Sequence, residues 1–154
     1  MAENPVEPVF IISQKKWSPL ANFAESELHL DNATWKTVEH YFQAQKSLDE
    51  KVREKIRKSF TPKIAKQLGR EVQLRSDWET VKIDIMRIAL KEKFKNNKFK
   101  ELLLMTKDRP IYEDAPWDQF WGTGAYRATE PGLNTLGKLL MELREHEEEK
   151  DRHI

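Results

Sequence analysis

The chain has 154 residues, 38% of them hydrophobic, with a formal net charge of +1 and no cysteine. This length and apolar content are typical of one compact domain that buries a sizeable core without covalent cross-links. The lack of cysteine excludes disulfides, thiolate zinc sites and a cysteine nucleophile. No apolar run approaches the roughly 20 residues of a membrane span, and the acidic, proline-bearing start is unlike a signal peptide, so we expect a cytoplasmic protein.

The near-neutral sum hides an uneven distribution of charge. Residues 51–70 hold eight lysines or arginines against one acid, whereas residues 141–154 hold six acids against three bases. The basic stretch would present a positive field to a phosphate or a nucleic acid. Alternating charges on an exposed helix are also ordinary solvation, and both interpretations stay open at this stage.

The N-terminal part of the chain carries the strand signals. Residues 9–12 form a short β-branched and aromatic run that predicts a strand. Residues 28–30 and 33–35, separated by Asp31-Asn32, predict a hairpin with a two-residue turn. The segment between these strands fits neither a helical nor a strand period. Because such loops often carry sites, we mark Trp17 and Asn22 in it, with a core lid and a turn residue as the respective alternatives.

The stretch from Thr34 to Lys46 crowds aromatic, acidic, basic, amide and imidazole groups together. Thr37 is a good N-cap, and the apolar residues after it recur at helical spacing as far as Leu48. Glu39, Gln43 and Lys46 fall within roughly 60° of each other on this predicted helix. An acid, an amide and an amine would therefore share one stripe, which is either a solvated helix face or part of a site.

Four further helices are predicted after this one. Thr61-Pro62 begins a helix that would stop at Gly69, and Ser76 with Glu79 forms a capping box for a long helix ending at Asn96-Asn97. A shorter helix around residues 99–105 and a last one capped by Asn134 follow. Together with the N-terminal strands, this predicts a mainly helical α+β domain with a small N-terminal sheet and hairpin.

Residues 111–132 predict a loop with an unusual composition. It contains Trp117, Phe120, Trp121 and the carboxylate of Asp118, followed by Gly122 and Gly124. Aromatic rings with glycines that let the backbone approach a ligand would suit the wall of a pocket for a base and a sugar. A well-packed aromatic loop is the alternative. A lone Gly-x-Gly is not a nucleotide-binding fingerprint.

Only some catalytic chemistries fit these residues. The four histidines lack metal-binding spacing, so no metal and no cofactor are expected, and there is no serine-hydrolase elbow. Acid, base and amine chemistry beside stacking aromatics remains. Carboxylates with a positioned water can cleave an N-glycosidic bond, and a desolvated lysine can instead attack the anomeric carbon.

Several motifs, ordered along residues 9–145, resemble those of a known family. They are Leu20-Ala21-Asn22-Phe23; Trp35 with Glu39-His40-Tyr41-Phe42-Gln43-Ala44-Gln45-Lys46; Gly69-Arg70; Arg75-x-Asp77-Trp78; Met86-x-x-Ala89-Leu90-x-x-Lys93-Phe94; Asp118-x-x-Trp121-Gly122-x-Gly124; and Gly132-x-Asn134-x-x-Gly137-x-x-Leu140-Met141. The pattern is similar to the NADAR, or YbiA-like, family. Ala21 departs from it, because many members carry serine there. The resemblance predicts a family domain over residues 9–145, between a flexible N-terminus (1–8) and a charged C-terminal tail (146–154).

The resemblance implies a helical YbiA-like fold and N-glycosidase activity on ribosylated bases. Two substrate branches follow from it: phosphorylated ribosylamino-pyrimidines of early riboflavin synthesis, and ADP-ribose on guanine in DNA, which antitoxin members remove to reverse a DarT-like toxin. The implied catalytic residues are Lys46, Glu39 and Asp118. The implied substrate-binding residues are Asn22, Trp35, Gln43, Arg70, Trp121, Gly122 and Gly124.

Two other functions remain open at the level of sequence. A non-catalytic module that binds ADP-ribose or a nucleotide needs only the aromatics, the glycines and a phosphate contact. A basic scaffold for nucleic acid through residues 51–70 would bind with strong salt dependence and release no base. His40 can titrate near neutrality, but it lies about 100° from Glu39 on the predicted helix, so we expect it to be structural.

Overall fold

The computed structural model describes residues 6–152, and the prediction of a mainly helical fold with little sheet is confirmed. Residues 1–5, which make up most of the predicted flexible N-terminus, lie outside the described part. The described residues divide into two compact units, one of residues 6–21 with 97–152 and one of residues 22–96. Within residues 6–152, the elements are β1 Val9–Phe10, a 3-10 helix Lys15–Leu20, β2 Leu28–Leu30, β3 Ala33–Trp35, α1 Val38–Ala44, α2 Glu50–Arg57, α3 Pro62–Glu71, α4 Trp78–Lys93, α5 Asn97–Met105, β4 Ile111–Tyr112 and α6 Thr135–Arg152.

The predicted hairpin begins the unit of residues 22–96. Strands β2 and β3 pair antiparallel, with Leu28 opposite Trp35. The turn residues Asp31 and Asn32 have φ angles of 56° and 57°. Two consecutive positive φ angles are the geometry of a tight hairpin turn, and asparagine and aspartate tolerate them better than most residues.

Helix α1 is the centre of this unit and packs against α2, α3 and α4. As predicted, Thr37 caps it, accepting from the backbone N–H of His40 at 3.1 Å. The expectation of a single buried face is wrong, because every residue from Val38 to Ala44 is buried. The helix also ends before Leu48, which is 64% exposed.

Helices α2 and α3 cover one side of α1. Thr61 caps α3 and Pro62 occupies its first turn, as predicted, but the helix continues through Gly69 to Glu71. The predicted stop at Gly69 is therefore wrong. Phe60 falls in the connection between the two helices and is 83% exposed.

Gly69 brings α3 close to α1 at the side chain of Gln43. A Cβ atom placed on Gly69 would collide with Gln43 Oε1, and the Gln43 carboxamide carbon would lie only 2.8 Å away. This crowding explains why a glycine stands inside a helix, where it costs about 1 kcal/mol relative to alanine. The glycine is a close-approach residue rather than a helix terminator.

Helix α4 begins one residue later than the capping box predicts. Asp77, not Ser76, occupies the cap position, and its side chain makes no capping hydrogen bond. Asp77 instead pairs with Arg75, whose Nε lies 2.6 Å from Asp77 Oδ1. The helix ends at Lys93, before the predicted Asn96-Asn97 stop.

The other unit combines the two chain ends around a small parallel pair of strands. Strand β1 is shorter than predicted, and Val9 pairs with Ile111 of β4, a strand within the segment predicted to be a loop. Trp17 lies in the 3-10 helix and is 3% exposed, which agrees with the alternative of a core lid. The Arg109 guanidinium lies 5.4 Å from the centre of its ring.

The long helix α6 completes this unit and reaches Arg152. The prediction that the Asn134 side chain caps it is wrong. Asn134 Oδ1 accepts from Glu113 N at 2.9 Å, and its Nδ2 donates to Ile111 O at 2.9 Å, so the side chain holds β4 instead. Within residues 6–152, no helix has the length and apolar character needed to cross a membrane.

His40 links α1 to the end of α2 and is fully buried. Its Nε2 lies 3.0 Å from the carbonyl of Ser59, and its Nδ1 lies 2.8 Å from Thr37 Oγ1. The carbonyl can only accept, so Nε2 carries the proton and Nδ1 accepts from the threonine hydroxyl. Burial lowers the pKa of His40, so the ring is a neutral structural link.

This link predicts a pH-dependent stability. Because the pKa of His40 is lower in the folded state, the unfolded state binds more protons once the pH falls below 6.5, the ordinary histidine value. The stabilisation is complete above that pH and is lost as the pH falls towards the lowered pKa. In urea titrations, the difference in free energy of unfolding between wild type and His40→Gln should shrink on acidification. His146→Gln, at an exposed site, is the control, and a pH-independent difference for His40→Gln would contradict the assignment.

The Gly69–Gln43 contact predicts a coupled pair of substitutions. Gly69→Ala should destabilise the protein by about 1–3 kcal/mol, because the added methyl collides with Gln43, although alanine is the better helix former. Gln43→Ala should create a cavity. The double variant should be more stable than the sum of the two losses, because each substitution relieves the other. Urea unfolding of all four proteins measures the coupling, and strictly additive losses would refute the contact.

Candidate active site

The first part of the candidate site is a buried acid on α1. Glu39 is 7% exposed, and its Oε1 accepts a hydrogen bond of 2.8 Å from Gln43 Nε2, one helical turn later. The amide N–H groups offset part of the cost of burying the carboxylate. Gln43 is itself fixed against Gly69, so two helices determine the direction in which the acid points.

Lys46 lies just beyond the C-terminal end of α1, with its side chain half buried. Burial lowers the pKa of this amine, Glu39 partly opposes the change, and the positive charges of Arg70 and Lys66 lower the pKa further. A lysine in such surroundings loses its proton more readily than a solvated one. The lowered pKa favours the neutral form of the amine, which is the form that attacks carbon.

Helix α3 supplies two cations to the surroundings of this amine. The sequence predicts Arg70 as a phosphate ligand, and the structure places it, exposed, directly after Gly69. Sequence reasoning missed Lys66, one turn earlier on the same stripe. Its signal is the i, i+4 spacing from Arg70, alongside the buried pair Ala65 and Gly69 that faces α1.

Asn22 lies next to the start of α1. Its backbone carbonyl accepts from Glu39 N at 3.2 Å, and its side chain is 7% exposed. Asn22 Oδ1 is buried and has no hydrogen-bond partner among residues 6–152. A buried acceptor without a partner is rare in folded proteins and suits a ligand donor such as a hydroxyl. Phe23, the next residue, is 44% exposed.

Trp35 stands apart from this group, although the resemblance implies that it binds substrate. Its Nε1 donates to the Leu30 carbonyl at 2.9 Å, and its ring packs edge-on against Tyr41 at 5.2 Å between centroids. Tyr41 lies about 160° around α1 from Glu39. The visible contacts of Trp35 are therefore those of a hairpin anchor.

The other predicted site residues lie in the unit formed by the chain ends. Asp118 Oδ1 accepts from the backbone N–H groups of Phe120 and Trp121, at 3.0 and 2.8 Å. Gly122 is needed for packing, because a Cβ there would lie 2.7 Å from the Glu113 carbonyl oxygen, and Gly124 has a φ of 81°. The Trp121 ring is partly exposed and packs edge-on against Phe120. Catalysis by Asp118 and stacking by Trp121 stay predictions.

Sequence reasoning also missed the carboxylate that organises this loop. Asp114 is fully buried, and its Oδ1 accepts from Ile12 N at 2.9 Å and from Ser13 N at 3.3 Å. Its Oδ2 accepts from Arg127 N at 3.0 Å. Asp114 is thus a structural acid, and no local spacing rule singles it out. In the described chain, no group of three histidine or carboxylate side chains is arranged to hold a metal ion.

Comparisons with known proteins show the family and the fold of the chain. The sequence profile of the NADAR domain matches residues 7–146. The N-glycosidase YbiA of Escherichia coli is 43% identical over 139 residues, which cover 88% of this chain and 85% of that protein. The N-glycosidase Npun_R5314 of Nostoc punctiforme is 44% identical over 140 residues, covering 85% of this chain and 88% of the relative.

A larger protein and a solved structure extend the comparison. The riboflavin biosynthesis protein VVA0006 of Vibrio vulnificus is 36% identical over 84% of this chain, which spans 35% of that longer protein. The NMR structure of E. coli YbiA superimposes with a TM-score of 0.84 at 38% identity, covering 100% of this chain and 91% of that one. The chain belongs to the NADAR domain family.

Proposed function

We propose that the protein is an N-glycosidase that hydrolyses the bond between the anomeric carbon C1′ of a ribose and the nitrogen of a base. The supporting observation is the half-buried Lys46 amine, whose pKa burial lowers, in the electrostatic reach of the buried acid Glu39. Two relatives of similar length are named N-glycosidases, which supports the same reaction class for this chain.

The proposed reaction begins with attack by the neutral Lys46 amine on C1′. The C1′–N bond to the base breaks, its electron pair stays on the base nitrogen, and the base leaves with a proton. Lys46 gives up a proton as its own bond to C1′ forms. Opening of the sugar ring then produces an imine between Lys46 Nζ and C1′.

Water completes the cycle and regenerates the enzyme. It adds to C1′, the ring closes again, and the Lys46 amine leaves, so one water is consumed for each base released. Glu39 is the proposed proton carrier, because Gln43 holds it in a fixed direction. Asp118 remains a second proposed acid, base or hydroxyl ligand, Trp121 a proposed stacking wall, and Arg70 a proposed phosphate ligand.

We favour a phosphorylated ribosylamino-pyrimidine as the substrate. A family relative is named a riboflavin biosynthesis protein, and this chain matches about a third of its length. A small phosphorylated substrate also suits the cations that α3 places near Lys46.

ADP-ribosylated guanine in DNA is the second candidate substrate, in which case the protein would reverse a DarT-like toxin. The observation in its favour is an aromatic residue on the basic surface. Phe60 is 83% exposed, and Lys36 Nζ lies 5.5 Å from the centre of its ring. An exposed ring beside a cation can stack on an unpaired base while the cation contacts a phosphate.

The covalent step predicts different behaviour for two substitutions of Lys46. Lys46→Ala should lower kcat/KM by about 10²-fold or more. Lys46→Arg should be equally impaired, because a guanidinium stays protonated and cannot attack carbon. The wild-type rate should rise with pH through the lowered pKa of Lys46, because only the neutral amine reacts. Base release by chromatography measures all three effects.

Borohydride provides a direct measurement of the intermediate. It should reduce the imine and increase the protein mass by the sugar phosphate at Lys46 in the wild type but not in Lys46→Arg. Lys91→Ala, which removes an exposed amine of α4, is the matched control and should behave as wild type. Substantial activity in Lys46→Arg together with no trapped adduct would refute covalent catalysis and leave an electrostatic role for the lysine.

A two-substrate assay tests the proposed function itself. Purified protein should release the base from a ribosylamino-pyrimidine phosphate, with the loss detected by mass spectrometry. Release only from an oligonucleotide carrying ADP-ribosylated guanine, reduced in Phe60→Ala, would favour the second candidate. Tight binding of ADP-ribose without cleavage of either compound would overturn the enzyme proposal in favour of a non-catalytic binding module.

A further inference from the structure

A cleft on another side of α1 has no part in the proposed reaction. It has a volume of about 600 Å³ and is lined by the hairpin, by α2 and by Gln45 at the end of α1. Gln45 lies about 120° around the helix from Glu39, so the cleft and the candidate catalytic acid face different directions. A volume of this size is within the range of small-molecule sites in proteins.

The Gln45 side chain brings a buried donor without an acceptor to this cleft. Gln45 is 5% exposed, and its Nε2 has no hydrogen-bond partner among residues 6–152. Buried amide groups nearly always have partners, and an exception calls for a physical reason. A ligand that enters the cleft can supply the missing acceptor.

Arg53 of α2 adds a positive charge whose position is fixed. Its Nε donates to the Ser47 carbonyl at 2.6 Å. Its Nη1 lies 3.7 Å from Glu50 Oε1, too far for a hydrogen bond, and the Glu50 side chain is 87% exposed. Arg57, which also lines the cleft, instead pairs with Glu54 through two hydrogen bonds. The Arg53 guanidinium is therefore the cation better placed to bind an anion.

The hairpin contributes a negative charge to the same cleft. Asp31 stands in the hairpin turn and is one of the lining residues. The pKa of Tyr41, one turn before Gln45, is raised to about 12, first by burial and then by the charge of Asp31, while Arg53 opposes the shift. A carboxylate and a guanidinium thus line one cleft from two different elements.

We propose that this cleft binds a free amino acid, with its carboxylate held by Arg53 and Gln45 and its ammonium group directed towards Asp31. The planar guanidinium matches a carboxylate with parallel N–H groups, and the amide supplies a further donor. The site is separate from the proposed catalytic residues and does not depend on the proposed function.

The charges of the cleft favour a zwitterion over an anion such as phosphate. Arg57 and Glu54 neutralise each other, which leaves Arg53 with the two carboxylates of Asp31 and Glu50. A phosphate group with a charge close to −2 would be repelled by both carboxylates. An amino acid carries one positive and one negative charge in a small molecule and can satisfy the two walls together.

Calorimetry on the full chain tests the site with each common L-amino acid at millimolar concentration. At least one should bind the wild type. Arg53→Gln, which keeps a donor for Ser47, should weaken that binding by about 10-fold or more, the size expected for a lost charged hydrogen bond. Gln45→Met keeps the side-chain length and should also weaken it. Lys51→Ala, at an exposed position in the first turn of α2, is the matched control and should bind as the wild type does.

Analogues of the amino acid that binds test its orientation. The carboxamide analogue should bind weakly and should not distinguish the wild type from Arg53→Gln. The N-acetyl analogue should bind equally to the wild type and to Asp31→Asn, in which asparagine tolerates the positive φ of the turn. The proposal would be overturned by no binding of any amino acid, by tighter binding of inorganic phosphate, or by equal binding to the wild type, Arg53→Gln and Gln45→Met. Because binding is measured directly, none of these results depends on whether the protein releases a base.

Discussion

The contact between Gln43 and Gly69 determines the direction of the acid in this protein. Gln43 donates to Glu39, which is 7% exposed, and it fits only because α3 carries no side chain at Gly69. A buried carboxylate without that amide would pay a larger cost of desolvation. The geometry of a proposed catalytic acid on one helix therefore depends on a glycine in another, and the two helices cannot shift independently without disturbing it.

The burial that makes this contact necessary also changes the basicity of the amine. Burial lowers the pKa of Lys46 despite the opposing charge of Glu39. On a solvated helix face, burial would not lower the pKa of the lysine, and the acid would need no amide partner. His40 follows the same rule on another side of α1, where burial lowers the pKa of the ring although the hydrogen bond to the Ser59 carbonyl opposes this shift. Burial thus lowers the pKa both of a candidate catalytic amine and of a structural imidazole.

Features fixed by neighbouring residues could be predicted from sequence, whereas those fixed by distant residues could not. The hairpin turn at Asp31-Asn32 and the cap at Thr37 depend on local backbone chemistry, and both were predicted correctly. Strand β4 pairs with a strand about a hundred residues away, which no local period reveals. An asparagine side chain can cap a helix, but the Asn134 side chain instead hydrogen-bonds the backbone of Ile111 in β4 and of Glu113 directly after it. Gly69 was wrongly predicted to end α3. Its role depends on packing, because α1 approaches α3 closely at this residue, and the local sequence does not show that contact.

The candidate site was also only partly predictable from the sequence. Residue type and spacing pointed to Glu39, Gln43 and Lys46. They could not distinguish candidate catalytic residues from residues of the same motif that have a structural role. Gly122 has a packing role in the structure, and the Asp118 carboxylate accepts hydrogen bonds from backbone N–H groups of its own loop. Lys66 lies outside the motifs that carry the family resemblance, and its charge affects Lys46 in a fold where α3 packs on α1. The motifs therefore indicated the fold and the candidate residues more closely than the contacts that arise only where helices pack.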